Sequence, residues 1–416
     1  MTQRLARQVG QRPWSPWRAV IGFGVVSLTA DMVYEGARSI TGPLLASLGA
    51  SAVLVGLITG MGETMALVLR LVFGTWADRS GRYWMLTFTG YTITAICVPA
   101  LAITPFLPSF GLAVACCLIL TERAGKAVRS PAKTALLARA AASVGLGRGF
   151  AVHKALDQLG AVAGPLLVAA VAAVAGALWP AMAVLIIPGG TALLVLLWIW
   201  RKTAKSAVID RDGTEQSRDL DQKLHPAALR HRSAGRLPAS FWLFACAAGA
   251  ATAGLVTFGV ISYHLTQDHL VPVAAVPLIY AAAMATEALA ALGTGALFDR
   301  IHGRVLLGLP VMVALVPPLA FASSPVIVII GVLIWGAAMG VQDSTVKALV
   351  ADLVPSTRHA TAYGVFAAVQ GAAAMAGGAM AGALYQRSLP LLVAIVAVSQ
   401  VVALVLLKAT LRRPLS

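Results

Sequence analysis

The sequence predicts an all-α membrane protein of twelve transmembrane helices, arranged as two pseudo-symmetric six-helix bundles. Three observations carry that prediction: an apolar composition, apolar windows recurring along nearly the whole chain, and a polar motif that occurs twice. Of 416 residues, 59% are hydrophobic and only 12% charged, with a mean hydropathy of +0.83. Soluble domains carry roughly 25% charged residues, so the composition is that of a membrane protein.

The windows fall at about 19–45, 52–73, 84–104, 109–128, 149–173, 180–200, 240–265, 272–297, 304–321, 324–342, 361–384 and 389–408. Such lengths suit a hydrocarbon layer roughly 30 Å thick. No Ala-x-Ala-type cleavage site follows the first window, so it reads as a retained span and not a signal peptide. The net charge of +16 is distributed as topology. Arg4, Arg7, Arg12 and Arg18 precede span one, and Arg201, Lys202, Arg211, Lys223, Arg230, Arg232 and Arg236 fill the central loop. Lys408, Arg412 and Arg413 end the chain, while only Arg38 and Arg387 fall on or near the outward side. This positive-inside bias places both termini in the cytoplasm of a bacterial cell, as a multi-pass protein of its plasma membrane. It leaves no role for nucleic acid as a partner.

Span one contains DMVYEGARS. Asp31, Tyr34, Glu35 and Arg38 occur at i, i+3, i+4 and i+7, which puts all four on one stripe of a helix. Asp31 falls near the midplane and Arg38 about 10 Å further outward. Ionisable groups at that depth cost about 2.5–3.5 kcal/mol each on insertion scales, so the stripe must face protein or a water-filled cavity. The expected place is the seam between the two halves. A Glu35–Arg38 pair that only fixes packing would leave Asp31 without a partner. A carboxyl that gains and loses a proton at midplane is what proton-coupled transport needs, so Asp31 is the favoured coupling acid and Glu35 the second.

Span two adds Glu63, and span eight adds Glu287 at a nearly equivalent place; either suits a cationic substrate, a shared proton or a packing role. Arg70, near the end of span two, is explained by snorkelling. Span four ends LTERAGKAVRSP, where Glu122 and Arg123 cannot share a helix face and so serve different neighbours. Span five opens with His153, Lys154 and Asp157, either a polar path to the cytoplasm or a paired interfacial cluster. It continues Gly160-x-x-x-Gly164-Pro165, where small residues one turn apart allow close helix approach.

The repeat divides the chain. GTWADRSGRYW (Gly74 to Trp84) ends span two, and GALFDRIHGRV (Gly295 to Val305) ends span eight. Both read Gly-x-x-x-Asp-Arg and then Gly-Arg, the second with an extra residue before Gly303. The expected units are an N-terminal bundle over 1–200, a hydrophilic cytoplasmic linker over 201–238 and a C-terminal bundle over 239–416. Parallel six-span repeats imply a pseudo-two-fold axis along the membrane normal, with the binding site between them.

Cys97, Cys116, Cys117 and Cys246 all lie in predicted spans, unsuited to an extracellular disulfide or a zinc site. There is no Walker-type loop, no His-Glu-x-x-His and no Gly-x-Ser-x-Gly. The expectation is therefore no enzyme, no cofactor and no metal.

With Gly74, Asp78, Arg79, Gly81 and Arg82 between spans two and three, the chain resembles the major facilitator superfamily of secondary transporters. DMVYEGARS, GKAVRSP and the start of span five resemble its bacterial drug-efflux-type members. The resemblance implies a monomeric carrier that moves a small-molecule substrate against protons by alternating access. It implies a latch in which Asp78 faces the start of span eleven in the outward-open state. By symmetry Asp299, with Arg300 and Arg304, would address the start of span five. It implies proton transfer at an arginine of span four, for which Arg123 is the nearest match, and sealing by Gly160, Gly164 and Pro165 as in antiporters. Spans one, two, four, five, seven, eight, ten and eleven would line the cavity or its seams. The alternative on the same fold is an importer or facilitator of a small metabolite or metal ion, with Asp31, Glu35 and Glu63 as oxygen ligands.

Overall fold

A computed structural model describes residues 15–142, 144–207, 237–355 and 358–412. Most of the predicted linker, with its charges from Arg211 to Arg236, and Arg4, Arg7, Arg12 and Arg413 lie outside the described residues. The first half comprises α1 (Pro16–Ser39), α2 (Thr41–Ser47), α3 (Ala52–Ser80), α4 (Tyr83–Ala100), α5 (Gly111–Ala141), α6 (Leu146–Ala175), α7 (Leu178–Ala183) and α8 (Ile186–Ala207). The second comprises α9 (Ala239–Gly254), α10 (Phe258–Gln267), α11 (Val276–Ile301), α12 (Gly308–Ala320), α13 (Pro325–Leu353), α14 (His359–Arg387) and α15 (Leu389–Leu411).

Eleven stretches of the described residues are long and apolar enough to cross a membrane. The twelfth expected span is α5. It is 31 residues long but carries Glu122, Arg123, Lys126 and Arg129, which removes it from a hydropathy criterion without removing it from the bundle. Its Glu122, Arg123 and Arg129 are buried, so this helix places its charges inside protein.

Two predicted spans are interrupted. Span one breaks at Ile40 between α1 and α2, just ahead of Gly42-Pro43. Span seven breaks over 255–257, between α9 and α10. A broken helix at membrane depth must have its freed backbone groups satisfied. Here the buried indole of Trp335 donates to the Val256 carbonyl at 2.7 Å, and Thr257 hydrogen-bonds Thr59 across the two halves at 2.8 Å.

The seam between the halves is tight at one end. Helices α3 and α14 run antiparallel, and a side chain at Gly56 would collide with the carbonyl oxygen of Gly378. Two turns along, Thr64 donates to the Gly371 carbonyl at 2.6 Å. Gly42 in α2 lies equally close to Gly259 and Ser262 of α10. At the other end, which carries the start of α1 and the end of α15 and is called here the terminal end, α3 leaves Val72, Trp76 and Asp78 exposed. The structure is closed opposite the termini.

The repeated loops differ in one informative way. Gly81 ends α3 with φ +64, and its N–H donates to the Ala77 carbonyl at 2.9 Å. In the second copy the corresponding positive-φ residue ending α11 is His302 (φ +51), not Gly303. The apparent extra residue thus occupies the place of the first copy's glycine, at the steric cost such a backbone imposes on a side chain. Gly303 instead packs against Leu349 and Leu411.

Candidate functional site

A cavity of about 220 Å³ lies between the halves, lined from α1, α3, α5, α9, α11, α13 and α14 and from the break before α10. Of the eight spans expected at the cavity or its seams, span five stays at the seam, where Gln158 donates to the Met284 carbonyl at 3.0 Å. A larger hollow of about 550 Å³ opens at the opposite end near Ser47, Gly176 and Thr266. No ionisable side chain lines it, so the chemistry belongs to the central cavity.

The helical stripe of α1 supplies Tyr34, Glu35 and Arg38 to the cavity wall, and α3 supplies Glu63 and Arg70. Arg38 reaches Glu63 at 2.8 Å and Glu35 at 3.8 Å. A second partner of the same Glu35 oxygen comes from the second half: the Tyr280 hydroxyl donates to Oε2 at 2.5 Å. Arg123 approaches Glu63 at 3.6 Å and stands over the Tyr34 ring at 4.5 Å. Lys126 sits over the same ring at 3.3 Å from its centroid, a cation–π contact of the kind favoured where water is scarce. Glu122 turns away to Thr94 at 3.3 Å and Arg129 at 4.0 Å. Arg129 also donates to Thr94 and lies over Tyr91. The expected division of labour between Glu122 and Arg123 is present, although the two also approach each other at 3.8 Å.

Asp31 departs from expectation in two respects. It neither stands alone nor faces the seam between the halves. Its carboxyl lies beside that of Asp157 on α6, within the first half. Asp157 also accepts from Ser27 at 2.6 Å and pairs with Lys154 at 3.0 Å, while Lys133 donates to Ser27 at 2.9 Å. The reason is the close approach of α1 and α6. Gly160 and Gly164 press against the backbones of Leu28 and Met32, so side chains one turn away on the two helices meet. Of the two partners that the spacing offers Asp157, Lys154 takes it, and the buried Nε2 of His153 has no hydrogen-bond partner among the described residues.

Arg70 also departs from its expected snorkelling, because it lines the cavity. From the second half come Glu287, Asp343, Trp335, Gln342 and Gln370. Sequence reasoning missed Tyr280, Lys126 and Asp343. Trp335, Met339, Gln342, Asp343 and Val346 share one face of α13, a spacing that could have exposed the last of these. Tyr280 left no such signal, since its role exists only across the seam.

The latch residues lie at the terminal end. Asp78 accepts from Tyr83 at 3.2 Å, within its own half. Arg79, Arg82 and Arg300 are exposed. The side chain of Asp299 lies outside the described residues. Gly74 and Gly295 lie in the last turns of α3 and α11, and Gly81 and Arg304 in the connections that follow. Pro165 continues α6 without ending it.

Two bundles of apolar helices around a charged central cavity define a membrane transporter and not an enzyme. The Major Facilitator Superfamily model matches residues 23–378 and 243–416, and the chain belongs to that family. Among its relatives is an uncharacterized protein of Mycobacterium tuberculosis, 49% identical over 410 residues, spanning 97% of this chain and 96% of the relative. An uncharacterized MFS-type transporter of Methanocaldococcus jannaschii is 26% identical over 144 residues, 35% of each chain. The fold is shared with the nucleoside transporter NupG (TM-score 0.70, 13% identity, 95% of this chain and 100% of that one). It is shared too with a peptide transporter POT (0.70, 15%, 94% of each). A bacterial homolog of the human lysosomal transporter Spinster, solved inward-facing, gives 0.64 with 16% identity over 96% of each chain.

Proposed function

We propose that the chain exports a small molecule, drug-like or metabolite, from a bacterial cytoplasm in exchange for protons, as a monomer working by alternating access. The observation that carries this reading is the close approach of the carboxyls of Asp31 and Asp157 inside the first half. Two acids held side by side away from water disfavour ionising together, which suits them to hold one proton between them. Their place inside the bundle, against Ser27, Lys133 and Lys154, keeps that proton apart from the substrate cavity. Lys126 connects the two places: it acts electrostatically on Asp31 and stands over Tyr34 on the cavity wall. A change of charge at the carboxyl pair is therefore felt by the cavity. The coupling site is then the Asp31–Asp157 pair, and Glu35, Arg38, Glu63, Arg123 and Glu287 form the substrate region.

The excess of Lys and Arg at the terminal end supports a cytoplasmic position for it. The structure is then the inward-open state, and Asp78, bonded to Tyr83, is the released form of the latch. Export is supported by the close packing of Gly160 and Gly164 on α1, the sealing contact that the resemblance to antiporters implies.

The test uses inside-out vesicles containing the protein and a library of labelled toxic compounds. Uptake that collapses when the proton gradient is dissipated, and is absent in Asp31→Asn at equal protein abundance, is the expected result. Undiminished gradient-driven uptake in that variant would remove the pair from coupling. Accumulation only in right-side-out vesicles would make the protein an importer.

A further inference from the structure

Two charged groups on the cavity wall remain once the internal pairs are made. No hydrogen bond or ion pair reaches Glu287 among the described residues, although it faces the cavity from α11. Arg70 faces the same cavity from α3, and its Nε is buried without a hydrogen-bond partner among the described residues. Arg38 and Lys126 are engaged by comparison, the first with Glu63 and Glu35 and the second with the Tyr34 ring. Both residues are half-buried, and a charge on a cavity wall with no partner of its own is a place where a ligand's opposite charge gains most.

The two halves also present different polarity. The lining residues of the first half carry three cations, Arg38, Arg70 and Lys126, against two acids, Glu35 and Glu63. Those of the second half carry Glu287 and Asp343 and no cation. Asp343 stands near enough to act electrostatically on both Arg70 and Glu287. A molecule that bridges this cavity meets a positive wall on one side and a negative one on the other.

The heights of the two groups set a length. Measured from the repeated Gly74 and Gly295, Glu287 stands about one turn nearer the terminal end than Glu63. Arg70 is about one turn further again, roughly 6 Å of depth, and on the other half. Between them the wall carries Trp335 and Met339, an apolar surface suited to a methylene chain.

We infer that the central cavity takes an extended zwitterion, with an ammonium group held by Glu287 and a carboxylate held by Arg70. This rests on the transporter reading for what the site is used for, and not on the direction of transport or on the proton. Because the two charges belong to different halves, such a ligand pulls the halves together as it binds. A singly charged molecule satisfies only one wall.

The experiment is equilibrium binding to the purified protein in nanodiscs, without any gradient, by isothermal titration calorimetry. The probes are 4-aminobutyrate, 6-aminohexanoate and 8-aminooctanoate, with hexanoate and hexylamine as singly charged controls. The expected result is affinity that rises with chain length through the aminoalkanoates, with both controls weaker roughly tenfold or more. Glu287→Gln and Arg70→Gln should each weaken 8-aminooctanoate roughly tenfold, and Arg70→Lys should restore part of the loss, which a merely misfolded site would not do. Hexylamine or hexanoate binding as tightly as the zwitterions would overturn the inference. So would the absence of binding by every aminoalkanoate, or an Arg70→Gln variant that binds like the parent. Binding that persists where no gradient-driven flux is found would overturn the antiport reading and leave this inference standing.

Discussion

The hydroxyl of Tyr280, on the second half, donates a 2.5 Å hydrogen bond to the carboxylate of Glu35 on the first. Glu35 is thereby tied to both halves, since Arg38 on its own helix approaches it at 3.8 Å. Hydrogen bonds to charged groups contribute about 1.5–3 kcal/mol. Tyr280→Phe removes the bond without changing the ring and should shift the equilibrium away from this state roughly tenfold or more. Spin labels at Ser47 and Gln267, which line the hollow at the opposite end, read the shift as longer separations. An unchanged distance distribution would show that the bond is equally made in both states.

Gly56 tests the same closure through sterics. A Cβ there meets the Gly378 carbonyl oxygen, which belongs to backbone and cannot swing aside. Gly56→Val should therefore hold α3 and α14 apart at the opposite end and populate the state open there. The same pair of spin labels should report it, with the protein still folded and monodisperse. A variant with the parent's distances would mean that the helices slide past the added group.

Asp157→Asn separates coupling from transport. The amide can donate a hydrogen bond to Asp31, so the packing of α1 on α6 survives, but on the proposed reading the shared proton is lost. Exchange of labelled for unlabelled substrate across proteoliposomes should continue, whereas accumulation driven by a pH gradient should disappear. Gradient-driven accumulation at the parent's level would place the proton elsewhere.

Asp78→Asn addresses the state not seen in this structure. Here, among the described residues, Asp78 accepts only a 3.2 Å bond from Tyr83 at an exposed site. Its loss should leave the thermal stability of this state nearly unchanged. A carboxylate facing a helix N-terminus is worth about 0.3–2 kcal/mol, so the outward-open state should become roughly two- to thirtyfold less populated. Slower substrate exchange with an unaltered melting temperature is the expected pair of results. A large fall in melting temperature would assign Asp78 a packing role instead.

Much of the architecture was legible because membrane burial leaves its mark on single residues. A span must be apolar over its length, and loops at the terminal end gather Lys and Arg. The helical stripe of Tyr34, Glu35 and Arg38 was readable for the same reason: its spacing alone places the three on one face. The depth of Glu63 and Glu287 followed from counting residues along their helices.

What the chain alone could not decide was which charges meet. Asp31 belongs to the same stripe as Glu35, yet one turn of helix rotates it toward α6, where close glycine packing brings Asp157 to it. Lys126 and Arg70 looked like ordinary cations near span ends until the bundle placed them at a cavity wall. Tyr280 was one more aromatic in an apolar span. Periodicity within a helix assigns a face and a height, and those were determined by the sequence. The partner opposite that face depends on how two helices approach and rotate, and only the tertiary structure decided it.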